Sequence, residues 1–190
     1  MSESKQSVLV LCHTIFHNAF RTEKYREINT QKFKKWLQSK FIADFIIEIG
    51  SELSEGNYFA FTSEKIFKEF SEQLEKECTH PEVYEHLNIL RKLIFCVPNE
   101  SVNKLEVNGG IIVIADVLSN RNDYEPVLIT DMKDKKVEFA KEYYKKSITH
   151  EDFKIPFSIL NLEETISFLK GRYPVQYELV KKRGTLYGII

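Results

Sequence analysis

Residues Asn108–Asp134 read NGGIIVIADVLSNRNDYEPVLITDMKD, and the fold turns on how this stretch is divided. A short apolar helix or strand comes first, then a polar loop around Ser119–Asp123, then an apolar run from Pro126 to Thr130. That run reads as a strand buried on both faces, the pattern of a parallel sheet covered by helices. It leads directly into Asp131 and a lysine-rich helix. In open α/β sheets ligands gather just beyond the carboxyl ends of the strands, which is where Thr130 and Asp131 fall.

Working outward, Val8-Leu9-Val10-Leu11 is a second buried-strand run, with Cys12-His13-Thr14 at its carboxyl end. Residues 1–7 are expected to form a flexible lead. Phe16, Ala19 and Phe20 follow at helical spacing, and 21–29 is a polar linker. Thr30 caps a long helix whose apolar stripe is Phe33, Trp36, Leu37, Phe41, Phe45 and Ile49, with Gly50 and Gly56 at its end. Tyr58–Phe61 reads as a short strand. Thr62 or Ser63 then caps a helix carrying Ile66, Phe67, Phe70, Leu74 and Glu69. Thr79-His80-Pro81-Glu82 is a capping-box pattern that opens a helix through Ile94, stopped by Pro98. Val102–Val107 is irregular or a short edge element. Downstream, Lys133–Lys146 predicts a helix, Pro156–Leu160 a strand, and Asn161 with Glu164 a capped helix ending at Gly171. The extension over 172–190 is expected to form a strand pair around Arg183-Gly184.

The chain of 190 residues is 43% hydrophobic, enough for one core and a single domain over 1–190. A formal charge of −1 forces no nucleic-acid or membrane partner, yet Arg21 to Lys40 is basic and Glu52 to Glu85 acidic. Three cysteines without a C-x-x-C pair suggest neither a disulfide framework nor a zinc ribbon, and fit a reducing, cytoplasmic setting. No run is long and apolar enough to span a membrane. The alternation of strands and helices predicts an α/β fold, a three-layer α/β/α arrangement with a mostly parallel central sheet.

In this order of elements the chain resembles the PIN domains, the fold of metal-dependent ribonucleases, over roughly Val8 to Lys170. Cys12 in VLVLCHT stands where that family's first strand ends in an aspartate. Glu69 in FAFTSEKIFKEF matches its helical glutamate. Asn108, with Ile111 and Ala115 at the family spacing, stands for a second acid. Val127-Leu128-Ile129-Thr130-Asp131 is similar to the strand that ends in threonine and aspartate, with Met132 where the acid usually falls. The closing IPFSILNLEETISFLK resembles the last strand and helix.

The resemblance implies a metal-dependent endoribonuclease using Mg2+ or Mn2+ held by Glu69 and Asp131, with Asp134 and Asp116 as replacement carboxylates. Such chemistry needs several carboxylate oxygens on one ion, which activates water and neutralises phosphorane charge. A thiol at Cys12 and an amide at Asn108 weaken that set, since neither is a charged hard ligand. The implied centre is therefore altered or lost. The alternative is a non-catalytic RNA- or protein-binding module of the same fold. Lys133, Lys135, Lys136 and Arg21 would then meet phosphates, and Tyr25, Phe33 and Trp36 supply stacking unless the last two belong to the core. RNA, a protein partner or a second copy of the chain are the partners this reading admits. Two rivals come from the amino end. VLVLC resembles the start of the low-molecular-weight tyrosine phosphatases, but the position that needs arginine is Asn18. His13 and His17 share a helical face and suit a transition metal, though a third ligand must come from elsewhere.

Overall fold

A computed structural model describes residues 5–20, 30–77, 81–98, 107–147 and 154–186. Strand β1 (Gln6–Leu11) is followed by helices α1 (His13–Phe20) and α2 (Thr30–Glu52), β2 (Ala60–Ser63), α3 (Glu64–Glu77), α4 (Pro81–Leu93) and β3 (Ile94–Val97). Then come α5 (Val107–Ser119), β4 (Tyr124–Ile129), α6 (Lys133–Ser147), β5 (Ser158–Leu160), α7 (Leu162–Arg172) and α8 (Pro174–Leu186). The five strands form one all-parallel sheet in the order β3-β2-β1-β4-β5, flanked by helices as a three-layer α/β/α fold.

Strand β1 suits the middle of the sheet because Val8, Leu9, Val10 and Leu11 present apolar side chains to both faces. All four are at most 1% exposed. Helices α5 and α6 pack together over one face, with Ile111, Ile112, Ile114 and Ala115 buried. On the other, α2 is wrapped by α1, α4, α7 and α8, and buries Ile42, Phe45 and Ile46. Asp44 ties α2 to α4 by accepting from Lys40 at 2.6 Å and His86 at 2.9 Å. Pro126 is tolerated inside β4 for a geometric reason. Its nitrogen has the same parity as that of Thr130, which points to β5, and β5 begins only opposite Val127.

Several expectations are corrected. Strand β1 starts at Gln6, inside the stretch expected to be a flexible lead, because Gln6 and Ser7 pair with Tyr124 and Glu125 of β4. Ile94–Val97 is an edge strand and not the end of a helix; the apolar stripe Val83, Leu87, Leu90, Ile94 continues in phase into β3, so helical periodicity conceals the change. The tail over 174–186 is helix α8 and not a strand pair. Pro174 starts it without losing a hydrogen bond, Tyr177 and Val180 turn inward, and Arg183 pairs with Glu48 of α2 at 2.6 Å. Gly171 does not end α7, which runs on to Arg172 with Tyr173 as its cap, while the Asn161–Glu164 capping box forms as expected. Strand β2 is displaced to Ala60–Ser63, and Ser63 is at once its last residue and the acceptor for the Ile66 amide at 3.1 Å. Thr79 and His80 of the capping pattern, and residues 102–106 of the segment expected to be irregular, lie outside the described residues, while Pro81 opens α4 and Val107 opens α5.

Candidate functional site

The chain leaves β1 toward β2 and β3 on one side and later fills β4 and β5 on the other, so the connections diverge between β1 and β4. The crevice beyond the carboxyl ends of those two strands is the topological switch point, where open α/β sheets place their ligands. Cys12 closes β1 there, its amide donating to Ile129 O at 3.3 Å. Thr130 leaves β4 with its amide on Leu160 O at 3.1 Å, and its hydroxyl accepts the Met132 amide at 3.1 Å. That small turn sets Asp131 at the rim.

Six titratable groups among the described residues bear on this neighbourhood. The Cys12 thiol is 1% exposed, and burial pushes it up to about 11, against the pull of the Lys136 ammonium and the Thr130 hydroxyl. It stays a neutral thiol. Lys136, on α6, is only 4% exposed. His13, half-buried at the start of α1, is held below its ordinary value by burial and then by Lys136; Asp131 and Glu69 act in the opposite direction. Asp131 Oδ2 accepts from Lys35 of α2 at 3.4 Å, while its Oδ1 is buried and meets no hydrogen-bond donor among the described residues. Glu69 stands exposed on α3, close enough to His13 for its charge to be felt.

The other candidates divide clearly. Asn108 lies in the first turn of α5, whose far end feeds the short turn into β4, so its backbone belongs to this same edge of the sheet; its side chain is outside the described residues, as is Arg21. Asp116 is two turns further along α5, about 12 Å away by helical rise. There it accepts from the hydroxyls of Tyr143 and Tyr144 on α6 and acts as a clamp between the two helices. Asp134 is exposed in the first turn of α6, where a carboxylate complements the free amides. Lys133 bonds Glu164 of α7 at 2.6 Å and Lys135 is exposed. His13 and His17 place their rings edge to face, 6.0 Å apart, and His17 leans on Phe70 at 5.8 Å.

Sequence reasoning leaves Lys136 on the surface with the other lysines. A signal is nonetheless present: Lys136, Ala140 and Tyr144 recur every fourth residue, and all three are buried. Phe33 and Trp36 are the reverse case. They fit the apolar stripe of α2, yet they stand outside the buried core as a partly buried stacked pair, ring centres 5.6 Å apart and planes 27° from parallel.

Comparison with protein families, with curated proteins and with solved structures finds no match for this chain. The chemistry must be read from the site itself. Among the described residues no group of three or more His, Cys, Asp or Glu side chains is arranged to hold a metal ion. A protonated thiol and a buried ammonium are ill suited to Mg2+ or Mn2+, which select clustered anionic oxygens. What the crevice offers is a paired carboxylate, a second exposed one, a neutral imidazole and positive charge from Lys35 and Lys136. No helix among the described residues is long and apolar enough to cross a membrane.

Proposed function

We propose that this chain is a PIN-like, nucleic-acid-directed protein whose centre is altered, and that it binds single-stranded RNA without metal-dependent cleavage. The resemblance in element order and the switch-point crevice support the fold side of this reading. The observation that carries the function is the contact between Lys35 and Asp131. It brings the first turns of α2 to the rim of the crevice, and those turns carry Lys32, Lys34 and Lys35 together with the stacked Phe33 and Trp36 rings. Aromatic rings that keep part of their surface open among ammonium groups are what an unpaired strand requires: stacking for bases and countercharge for phosphates. Lys34 is held by Glu163 in an exposed pair of small net worth that phosphates displace at little cost, and Lys133 by Glu164 in a half-exposed one.

The test is retention and cleavage of labelled single-stranded RNA by the pure protein, with Mn2+ or with EDTA. Retention that weakens steeply with salt, intact RNA and indifference to EDTA are expected. A slope of log affinity on log salt of about −0.7 per phosphate contacted identifies the electrostatic share. Metal-dependent cutting abolished by both Glu69→Gln and Asp131→Asn would instead make the protein an endoribonuclease. Neither cutting nor retention would leave a protein partner, a reading that rests on Phe95, 39% exposed on the edge strand β3.

A further inference from the structure

We infer that the sheet edge past the carboxyl ends of β4 and β5 carries a three-site phosphate track, and that in the free protein the chain's own carboxylates fill the sites. Three ion pairs line this edge. Lys35 Nζ of α2 meets Asp131 Oδ2 at 3.4 Å, and Lys34 Nζ of the same helix meets Glu163 Oε2 at 3.0 Å. Lys133 Nζ of α6 meets Glu164 Oε1 at 2.6 Å. The acids share the edge because their strands do. Strands β4 and β5 run parallel with Ile129 beside Leu160; Asp131 comes soon after Ile129, and Glu163 and Glu164 soon after Leu160. The lysines reach them from α2 and α6, so each pair joins two elements of the fold. An ammonium binds a phosphate oxygen as a point charge, as it does a carboxylate oxygen, and each acid stands where a phosphate would.

The three sites are held to different degrees. Glu163 is the most exposed of the acids, and its carboxylate meets Lys34 alone among the described residues. Glu164 also accepts the Asn161 amide at 2.9 Å, which keeps it at the start of α7, and Asp131 is largely buried. Glu163 therefore yields first. Phe33 and Trp36 belong to the same turns as Lys34 and Lys35, so a strand whose phosphates replace these carboxylates has its bases near the stacked rings. The track rests on the RNA-binding reading and adds regulation to it, because the acids that tie α2 to the edge also compete with the ligand.

The experiment measures Kd of the full chain for a labelled oligouridylate and for inorganic polyphosphate, which carries phosphates without bases. Glu163→Gln is expected to bind each about 1.5- to 5-fold more tightly than wild type, the worth of one exposed pair. Glu163→Gln/Glu164→Gln, in which glutamine keeps the helix cap, should gain about 2- to 25-fold. Glu75→Gln, an exposed acid in the last turn of α3, should change neither Kd. A double-mutant cycle separates occupation of Lys34 from general repulsion, since the gain from Glu163→Gln should vanish when Lys34→Gln is already present. A gain that survives in Lys34→Gln, a gain equalled by Glu75→Gln, or no gain overturns the inference. Oligouridylate retained without that coupling refutes the track and leaves the RNA reading intact. Coupled binding of polyphosphate with no retention of oligouridylate keeps the track and removes RNA as its ligand. Binding of neither probe by any variant removes both.

Discussion

Truncating Trp36 separates a binding surface from a core more sharply than any other change. Trp36 and Phe33 are partly buried but stand outside the buried cluster, so the cost of truncating one is reckoned chiefly from their mutual ring contact. Such a pair is worth about 0.5–1.5 kcal/mol, and in a chain of this size 1 kcal/mol moves Tm by roughly 2–4 °C. Trp36→Ala should therefore lower Tm by roughly 1–6 °C. Phe45, on the same helix and 0% exposed, is the control. Phe45→Ala should cost about 3–5 kcal/mol, a fall of roughly 6–20 °C. Binding should respond in the opposite order. Loss of one stacking platform is worth about 1–3 kcal/mol per base, so Trp36→Ala should raise Kd for single-stranded RNA about 5- to 150-fold. Fluorescence anisotropy of a labelled oligouridylate, with thermal melts on the same preparations, reads both quantities. A melting loss in Trp36→Ala equal to that of Phe45→Ala would show that the ring is core. Unchanged Kd with unchanged Tm would remove the stacking argument altogether.

The remaining predictions concern the charged groups. Tyr144→Phe deletes a charge-assisted hydrogen bond to Asp116 while Tyr143 still donates, so it should cost about 2 kcal/mol, roughly 4–8 °C in Tm, and leave RNA retention unchanged. A loss of RNA binding with no loss of stability would return Asp116 to the site. His13 is held below its ordinary value, so the folded state binds fewer protons there than the unfolded chain does. Its contribution to stability is complete above the unfolded value of 6.5 and is lost as pH falls from there toward the folded value. Melts between about pH 7 and pH 5 should fall in wild type and fall less in His13→Gln, bracketing the imidazole's reference range. The His13 resonance should titrate at higher pH in Lys136→Met, and a midpoint that does not move would contradict the placement of that ammonium.

The strands VLVL and PVLIT announce themselves because a strand buried on both faces tolerates no polar residue, and that requirement is visible without neighbours. The Asn161–Glu164 cap is equally legible, since donors and acceptors lie within four residues of one another. Elements whose state depends on what lies opposite are not legible in this way. Ile94–Val97 becomes a strand because β2 stands beside it, and residues 174–186 become a helix because α2 offers Phe41 and Phe45 to Tyr177 and Tyr173.

The site divides along the same line. The sequence by itself placed Cys12, Thr130 and Asp131 at strand ends, because strand ends follow from local pattern. Only the tertiary structure decided that Asp116 belongs to two tyrosines on α6, that Trp36 and Phe33 stand outside the core, and that Lys136 lies buried. Burial and charge pairing are properties of what surrounds a side chain, and those surroundings come from elements many residues away in the chain.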